Sequence, residues 1–557
     1  MAFSAGARNE SARTSWGAMP LAALGLTAGL PVVFAIWMLL SPGRVVSREM
    51  TWDLLFIVEG AWHVFEGHVP HVDFHDPAGE LNFLLTAAGF RLVGPRPDAF
   101  LVGSSLMAMA LFVCAWIAAG RRLPLLPATL FVVFASLLAL MPANAGDLPS
   151  AYSFAMSYNR YGWSALCIVA LTLFLPTRAG DDGGIVDTVV VAMLLLALFY
   201  LKITYFAAGM AALATAIVIC PAVRARWQWW VVVGVLLTAN ALAPYSRPYL
   251  DDLQATTASG GVKDNYVLHI SYFLSNATEH AVYIALVAAA VWLWWRGTAP
   301  LRLPLAAAFL VVAGWLLLSQ NSQWNGVPLP VVAALLLYEV LGRSYRRQLG
   351  ALPLLLLILP TIWIVCSAAS VMGHHFKTSD PTLTIVEHTN LRGLAVPTEE
   401  DGLLAAFAEG KNEGLLSRAR VNRPRHELSP YEYVQTILEA AALLSNPRYR
   451  PGPVVVLDQV NPMPFVLGWP PPRGGNLWSG PRAPLQPADQ VFAGADYVLI
   501  PKFSTIGAWT QAVTTASYSR YLADHFHGLE ESQSWRLLGR APAMRDQPGV
   551  ARLPDHY

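Results

Sequence analysis

Two features of this chain carry groups suited to chemistry: an aspartate on one face of an amphipathic segment, and a lysine alone inside a long apolar run. The aspartate is Asp53, in Trp52-Asp53-Leu54-Leu55-Phe56-Ile57-Val58-Glu59-Gly60-Ala61-Trp62-His63-Val64-Phe65-Glu66-Gly67. Phe56, Ile57, Gly60 and Val64 recur at spacings of three and four, and Asp53 precedes the first two by the same intervals. The spacing predicts a helix lying along a membrane surface with Asp53 on its buried face, and with Glu59 and Glu66 elsewhere, in solvent. A carboxylate turned into protein suits a general base with a shifted pKa. An aspartate near a helix start also serves as a plain cap.

The lysine is Lys202, the only charged residue between Asp187 and Arg224. In Tyr200-Leu201-Lys202-Ile203-Thr204-Tyr205 it falls where one span should end and the next begin. A charge within a membrane segment costs at least about 2.5 kcal/mol on insertion scales and faces a partner or a wet cavity. Lys202 therefore either snorkels to the interface or meets an anion such as a lipid phosphate.

Between these two lies a turn with three histidines, His68, His71 and His75, and two more carboxylates, Asp73 and Asp76. Imidazole and carboxylate together suit zinc or manganese. No pair here stands at a fixed helical spacing, so a divalent metal has little support and the sequence requires no cofactor. Asp76-Pro77 and Ala78-Gly79 mark a sharp turn that sends the chain back to the membrane.

The elements that must position these groups follow from composition. Of 557 residues, 55% are hydrophobic and only 13% charged, against roughly a quarter charged in soluble proteins, so the chain is a polytopic membrane protein. A net charge of +1 argues against nucleic acid as a partner. The four cysteines lie in apolar runs and define neither a disulfide framework nor a metal site. The first apolar run lacks a convincing cleavage site and is expected to be a retained span.

Eleven spans are expected, at about 19–40, 98–120, 123–141, 161–176, 185–201, 203–223, 227–242, 280–295, 303–318, 327–341 and 349–372. With the N-terminus in the cytoplasm, the cytoplasmic loops hold Arg8, Arg13, Arg121, Arg122, Arg178, Arg224, Arg226, Arg296, Arg302, Arg343, Arg346 and Arg347, which satisfies the positive-inside rule. The long loops 41–97 and 244–279, Lys202, and everything after residue 372 then lie outside a bacterial inner membrane. From 373 the charge rises and apolar runs shorten. Helices over 398–416 and 430–444, the second capped by Ser429, alternate with strands at 454–457, 497–500 and 534–538, predicting a periplasmic α/β domain over 373–557. Trp469 and Trp478 stand in a Pro- and Gly-rich loop, where aromatic rings stack on sugars or pack the loop onto its own domain.

The first outer loop carries a resemblance. An Asp just outside the first span, an amphipathic helix, the run Gly67-His68-Val69-Pro70-His71-Val72-Asp73-Phe74-His75-Asp76-Pro77-Ala78-Gly79 and then Leu81-Asn82-Phe83-Leu84-Leu85 resemble that loop in GT-C glycosyltransferases, including the protein O-mannosyltransferases and bacterial aminoarabinose transferases. The likeness extends over roughly 19–372 as a pattern of spans and loops. It implies a GT-C-like helical fold and an Asp53 that acts as catalytic base. Leu54 stands where a second acid often follows, which leaves Asp73, Asp76 or Asp147 as a second carboxylate, or none. It also implies a Lys202 near the lipid phosphate of the donor, with Arg160 and Arg247 as helpers or as interfacial anchors. His75, Gln320, Asn321, Trp469 and Trp478 are the candidate contacts for sugar or acceptor.

The function implied is transfer of a sugar from a polyprenyl-phosphate-linked donor to a hydroxyl of a glycan, lipid or protein, with inversion. The competing readings are a transporter or flippase of a lipid-linked saccharide, a polymerase or ligase of lipid-linked glycans, and a non-catalytic assembly protein. No internal repeat supports a transporter. No P-loop or dinucleotide fingerprint supports nucleotide use.

Overall fold

The computed structural model describes residues 21–142, 153–178, 184–259, 274, 277–320, 326–344, 382–398, 404, 428–480, 483–502 and 510–540. Asp147, Asn321, the eleventh expected span and most of the helix expected over 398–416 lie outside the described residues.

The first part is helical: α1 (Leu21–Leu40), a short strand β1 (Val45–Val46), α2 (Thr51–Phe65), α3 (Leu81–Val93), α4 (Ala99–Gly120), α5 (Leu125–Leu140), α6 (Ser157–Phe174), α7 (Gly184–Leu201), α8 (Ile203–Ile219), α9 (Pro221–Arg224), α10 (Trp227–Leu242), α11 (Arg247–Ala258), α12 (Ala277–Trp295), α13 (Arg302–Gln320) and α14 (Pro330–Ser344). Among the described residues, α1, α4, α7 and α13 are long and apolar enough to cross a membrane, and the bent pair of α10 and α11 adds a fifth if it is taken as one span. α5, α8 and α3 are shorter apolar helices. Leu26, Leu30, Val33 and Phe34 of α1 and Trp292, Trp294 and Trp295 of α12 are exposed, as side chains facing lipid would be.

Charge orders the bundle. Asp187, in the first turn of α7, receives Arg122 at 2.7 Å, Arg226 at 3.2 Å and Arg121 at 3.5 Å. All three belong to the expected cytoplasmic loops, and one carboxylate gathers them. Lys202 is fifteen residues further along, roughly 22 Å at the helical rise, so it sits at the opposite end of α7. Its backbone is extended (φ −165°), which ends α7 and starts α8. α8 folds back on α7 so closely that a Cβ at Gly209 would run into the Leu195 side chain.

The chain after 382 supplies β2 (Leu383–Ile385), β3 (Leu394–Pro397), α15 (Pro430–Leu444), β4 (Val454–Val456), α16 (Met463–Leu467), α17 (Ala488–Val491), β5 (Tyr497–Pro501), α18 (Thr510–His525), β6 (Phe526–Glu531) and β7 (Trp535–Arg540). A mixed sheet runs in the order β4-β5-β7-β6, with β4 and β5 parallel and the other pairs antiparallel. The twofold period of its strands separates two cores. Val454, Val456, Tyr497, Leu499 and Leu537 join the cluster that holds Ile437 and Leu444 of α15, whereas Val455, Val498, Ile500 and Leu538 pack with Tyr518 and Leu522 of α18. Ser429 and Glu432 close a full capping box on α15.

The loop 41–97 is more than a loop. It contains α3, and β1 pairs in parallel with β3 in a sheet of order β1-β3-β2. The expected helix is present as α2, but Thr51–His63 is buried on every side, so it is enclosed by protein instead of lying at a lipid surface. The cover comes from the C-terminal part: Trp62 Nε1 donates to Trp469 O at 2.9 Å, and Phe465 N–H donates to Glu59 Oε2 at 3.1 Å. Glu59 is therefore buried, contrary to the expectation of a solvated side chain; Glu66 is exposed.

Candidate functional site

Asp53 occupies the first turn of α2 and caps nothing there. Its Oδ2 instead accepts the Met156 N–H at 2.9 Å, just before α6. Met50 and Met156, the residues that open α2 and α6, both adopt left-handed backbone (φ 51°), as does His71 (φ 65°). Only one further non-glycine among the described residues does so, Thr389. Bulky side chains seldom accept this conformation, and such strain gathers at functional sites. Burial pushes the Asp53 carboxyl up to about 6, opposed by the Met156 N–H and by the positive charges of Arg160 and Lys202.

Both cations stand at this same end. Lys202 Nζ donates to Asn159 Oδ1 at 3.0 Å and lies 4.9 Å from the centre of the Tyr158 ring. Arg160 is fully buried and donates to the carbonyls of Ala155 (2.9 Å) and Phe154 (3.2 Å), which fixes the turn that presents Met156 to Asp53. The sequence Asp76-Pro77-Ala78-Gly79 reaches the break at Lys202 directly. Gly79 N–H donates to Leu201 O at 3.1 Å, and a Cβ at position 79 would run into Tyr200 O. Only glycine lets the backbones approach so closely.

Asp76 is buried beside Asp53 and Lys202, with Oδ1 accepting the Ala78 N–H at 2.7 Å. Burial raises its carboxyl to about 8, with added repulsion from Asp252 and Asp53, so it is largely protonated at neutral pH. The two aspartates thus divide into a mostly ionised one and a mostly neutral one. Asp252, on α11, accepts from His71 Nδ1 at 2.9 Å on one oxygen and from His75 Nδ1 at 2.8 Å on the other. Burial alone would raise Asp252, but these two bonds hold it below the usual carboxylate range. α11 is aimed here by a 78° bend after α10, pinned where Tyr200 Oη meets Asn240 Oδ1 (2.8 Å) and Ser246 Oγ (3.0 Å).

The structure therefore brings Asp53, Asp76, Arg160, Lys202 and His75 to one place. Other candidates go elsewhere. Arg247 is 81% exposed on the outward side of α11, and among the described residues its side chain pairs only with Asp251, at 3.9 Å. Asp73 accepts the Val69 N–H at 2.8 Å and faces Arg473. Trp469 is buried against Tyr497, so its ring packs the loop, whereas Trp478 is half-buried with its ring roughly perpendicular to that of Phe56 at 5.6 Å. Gln320 is exposed at the end of α13, where it borders a groove between α8 and α13. Among the described residues no group of three or more His, Cys, Asp or Glu is placed to hold a metal ion. Sequence reasoning missed Asp252, Tyr158 and Asn159. The histidine pair in the first loop was the one available signal, since two imidazoles close together need an acceptor.

No family model matches the chain, and no curated protein matches its sequence. Among solved structures it is similar to ArnT from Cupriavidus metallidurans bound to undecaprenyl phosphate, at 13% identity over 96% of this chain and 100% of that one, with a TM-score of 0.45. The apo form of that ArnT gives 11% identity, 94% and 100% coverage and a TM-score of 0.41. An Archaeoglobus fulgidus oligosaccharyltransferase in complex with Zn and sulfate gives 10%, 85% of this chain and 67% of that one, with a TM-score of 0.35.

Proposed function

We propose that this chain is a membrane glycosyltransferase that moves a sugar from a polyprenyl-phosphate donor to an acceptor hydroxyl on the outer face of the bacterial inner membrane, with Asp53 as general base. The observation that carries the reading is the convergence of a buried carboxylate poised near pH 6 and a membrane-edge lysine at one end of the bundle. In the reaction the acceptor oxygen attacks the anomeric carbon while Asp53 takes its proton. The bond from that carbon to the phosphate oxygen breaks, and its electron pair leaves with the lipid phosphate. Attack from the face opposite the leaving group gives inversion. Lys202 neutralises the departing phosphate, and Arg160 keeps Asp53 ionised through its charge. In this reading Asp76, largely protonated, and His75, whose Nδ1 is held by Asp252, hydrogen-bond the sugar.

A groove of about 680 Å³ between α8 and α13 supports a lipid donor. It begins at Thr204, two residues from Lys202, and small side chains such as Ala207, Ala208 and Ala211 line it. A prenyl chain lying there would leave its phosphate at the lysine. The test is release of undecaprenyl phosphate from synthetic undecaprenyl-phosphate monosaccharides by the full chain in nanodiscs supplied with envelope glycolipids. Transfer that Asp53→Asn abolishes supports the reading. Movement of intact donor across the bilayer without cleavage would replace it with the flippase reading.

A further inference from the structure

A second cavity, of about 260 Å³, lies on the other side of α2, between that helix and the C-terminal sheet. Its size is slightly below that of sites for drug-sized ligands, roughly 300–1,000 Å³, and matches a single sugar unit. Most polar groups of its wall satisfy one another. Asn476 Nδ2 donates to Pro484 O at 2.6 Å, Gln486 Nε2 donates to Asn476 Oδ1 at 3.0 Å, and Tyr518 Oη donates to Gln486 O at 2.8 Å. The wall is thus built before any ligand arrives.

Two buried atoms in the lining are left over. Glu59 is 1% exposed, and its Oε2 takes the Phe465 N–H, but its Oε1 has no hydrogen-bond partner among the described residues. Asn461 spends its amide NH₂ on Val454 O at 2.8 Å, which leaves Oδ1 likewise without a partner. A buried polar atom without a partner is costly, so a pair lining one cavity points to a ligand that supplies the missing bonds. His63 Nε2 lies 3.5 Å from Glu59 Oε1, too long for a hydrogen bond but right for both atoms to hold one hydroxyl. His63 Nδ1 is 3.1 Å from His68 Nδ1, so one of these nitrogens donates to the other. Burial raises Glu59 and lowers His63, so the same apolar surroundings disfavour the charged form of each. Phe74 adds an apolar wall.

We infer that this cavity binds one neutral, hydroxyl-rich unit, a monosaccharide either free or at the end of a glycan, separately from the reaction site at Asp53. The inference stands on the cavity's own polar atoms and does not require the proposed transfer. It also gives a partner to the second oxygen of Glu59, whose first already accepts the Phe465 N–H in the first turn of α16.

The test is saturation-transfer NMR on the full chain in phosphatidylcholine nanodiscs, since alkyl-glycoside detergents would compete. The probes are the methyl glycosides of glucose, mannose, galactose and N-acetylglucosamine, the matching methyl disaccharides, and methyl glucuronoside as a charged control. Expected is saturable transfer from at least one neutral glycoside, with a Kd on the order of millimolar for so small a ligand. Ala483→Trp fills the cavity without removing a side-chain hydrogen bond and should weaken binding at least tenfold. Glu59→Gln, which keeps the shape and the polar atoms of the side chain, should keep it within about threefold, and Asp53→Asn should leave it unchanged. Binding of the disaccharides at equal strength would mark the end of a glycan, and binding of monosaccharides alone would mark a free sugar. No transfer from any neutral glycoside, an undiminished signal in Ala483→Trp, or preference for the glucuronoside would overturn the inference.

Discussion

The Met156 backbone N–H donates to Asp53 Oδ2 at 2.9 Å, tying the first turn of α2 to the start of α6 across 103 residues of sequence. Asp53 thus bonds across the fold instead of capping its own helix, and the anchoring segment also brings Asn159, Arg160 and Tyr158. If Asp53 is the proposed base, anchoring one oxygen fixes the direction in which the carboxylate takes the proton. The testable consequences rest on this joint between the first outer loop and the helical bundle.

The pH profile of transfer should report Asp53. A base works in its ionised form, and burial has lifted this one to about 6. Activity of the wild type should therefore rise tenfold per pH unit below about 6 and level off above it. A profile without a limb near 6 would assign the proton to another group.

Lys202→Met should strike donor binding. A hydrogen bond to a charged phosphate contributes about 1.5–3 kcal/mol, which corresponds to a rise in Kd for undecaprenyl phosphate of roughly 10- to 100-fold. Binding in nanodiscs, followed by quenching of tryptophan emission or by native mass spectrometry, reads this directly. Unchanged affinity would return Lys202 to the role of an interfacial anchor.

Gly79→Ala tests whether the close approach of the first loop to the α7–α8 break matters. The added methyl meets Tyr200 O, so the turn that carries Asp76 must move away from Lys202. Overpacking of this kind costs about 1–3 kcal/mol. Transfer should fall more steeply than the melting temperature, because the displacement separates groups that must act together. Normal turnover would show that the contact is structural only.

Asp76 makes a stability prediction. Its carboxyl is raised from 3.8 to about 8 in the folded chain, chiefly by burial. Between these values the folded state binds a proton that the unfolded state lacks, so Asp76 contributes stability at low pH that is lost as pH rises toward 8. Asp76→Asn should flatten the fall in melting temperature between pH 5 and 8. An unchanged slope would mean that Asp76 is ionised in the fold.

The parts of the site readable from sequence are those with a local signature. Asp53 shared the spacing of an apolar helix face, and Lys202 was a lone charge in an apolar run. The apolar strands β4 and β5 and the cap at Ser429 were readable for the same reason. Asp252 carried no such mark. It sits on a polar helix, and its meaning comes from His71 and His75, more than 170 residues away. Glu59 was misread because periodicity describes one helix face, while its burial depends on a C-terminal segment some 400 residues later. The side of α11 that carries Arg247 was equally invisible to a count of charges.

The most direct test of the central claim is mass spectrometry of lipid-linked and envelope glycans in a strain lacking this gene, complemented with wild type or with Asp53→Asn. The account predicts that one sugar disappears from an envelope glycan while its polyprenyl-phosphate donor accumulates, and that wild type alone restores the balance. Unchanged glycans, or full rescue by Asp53→Asn, would contradict it.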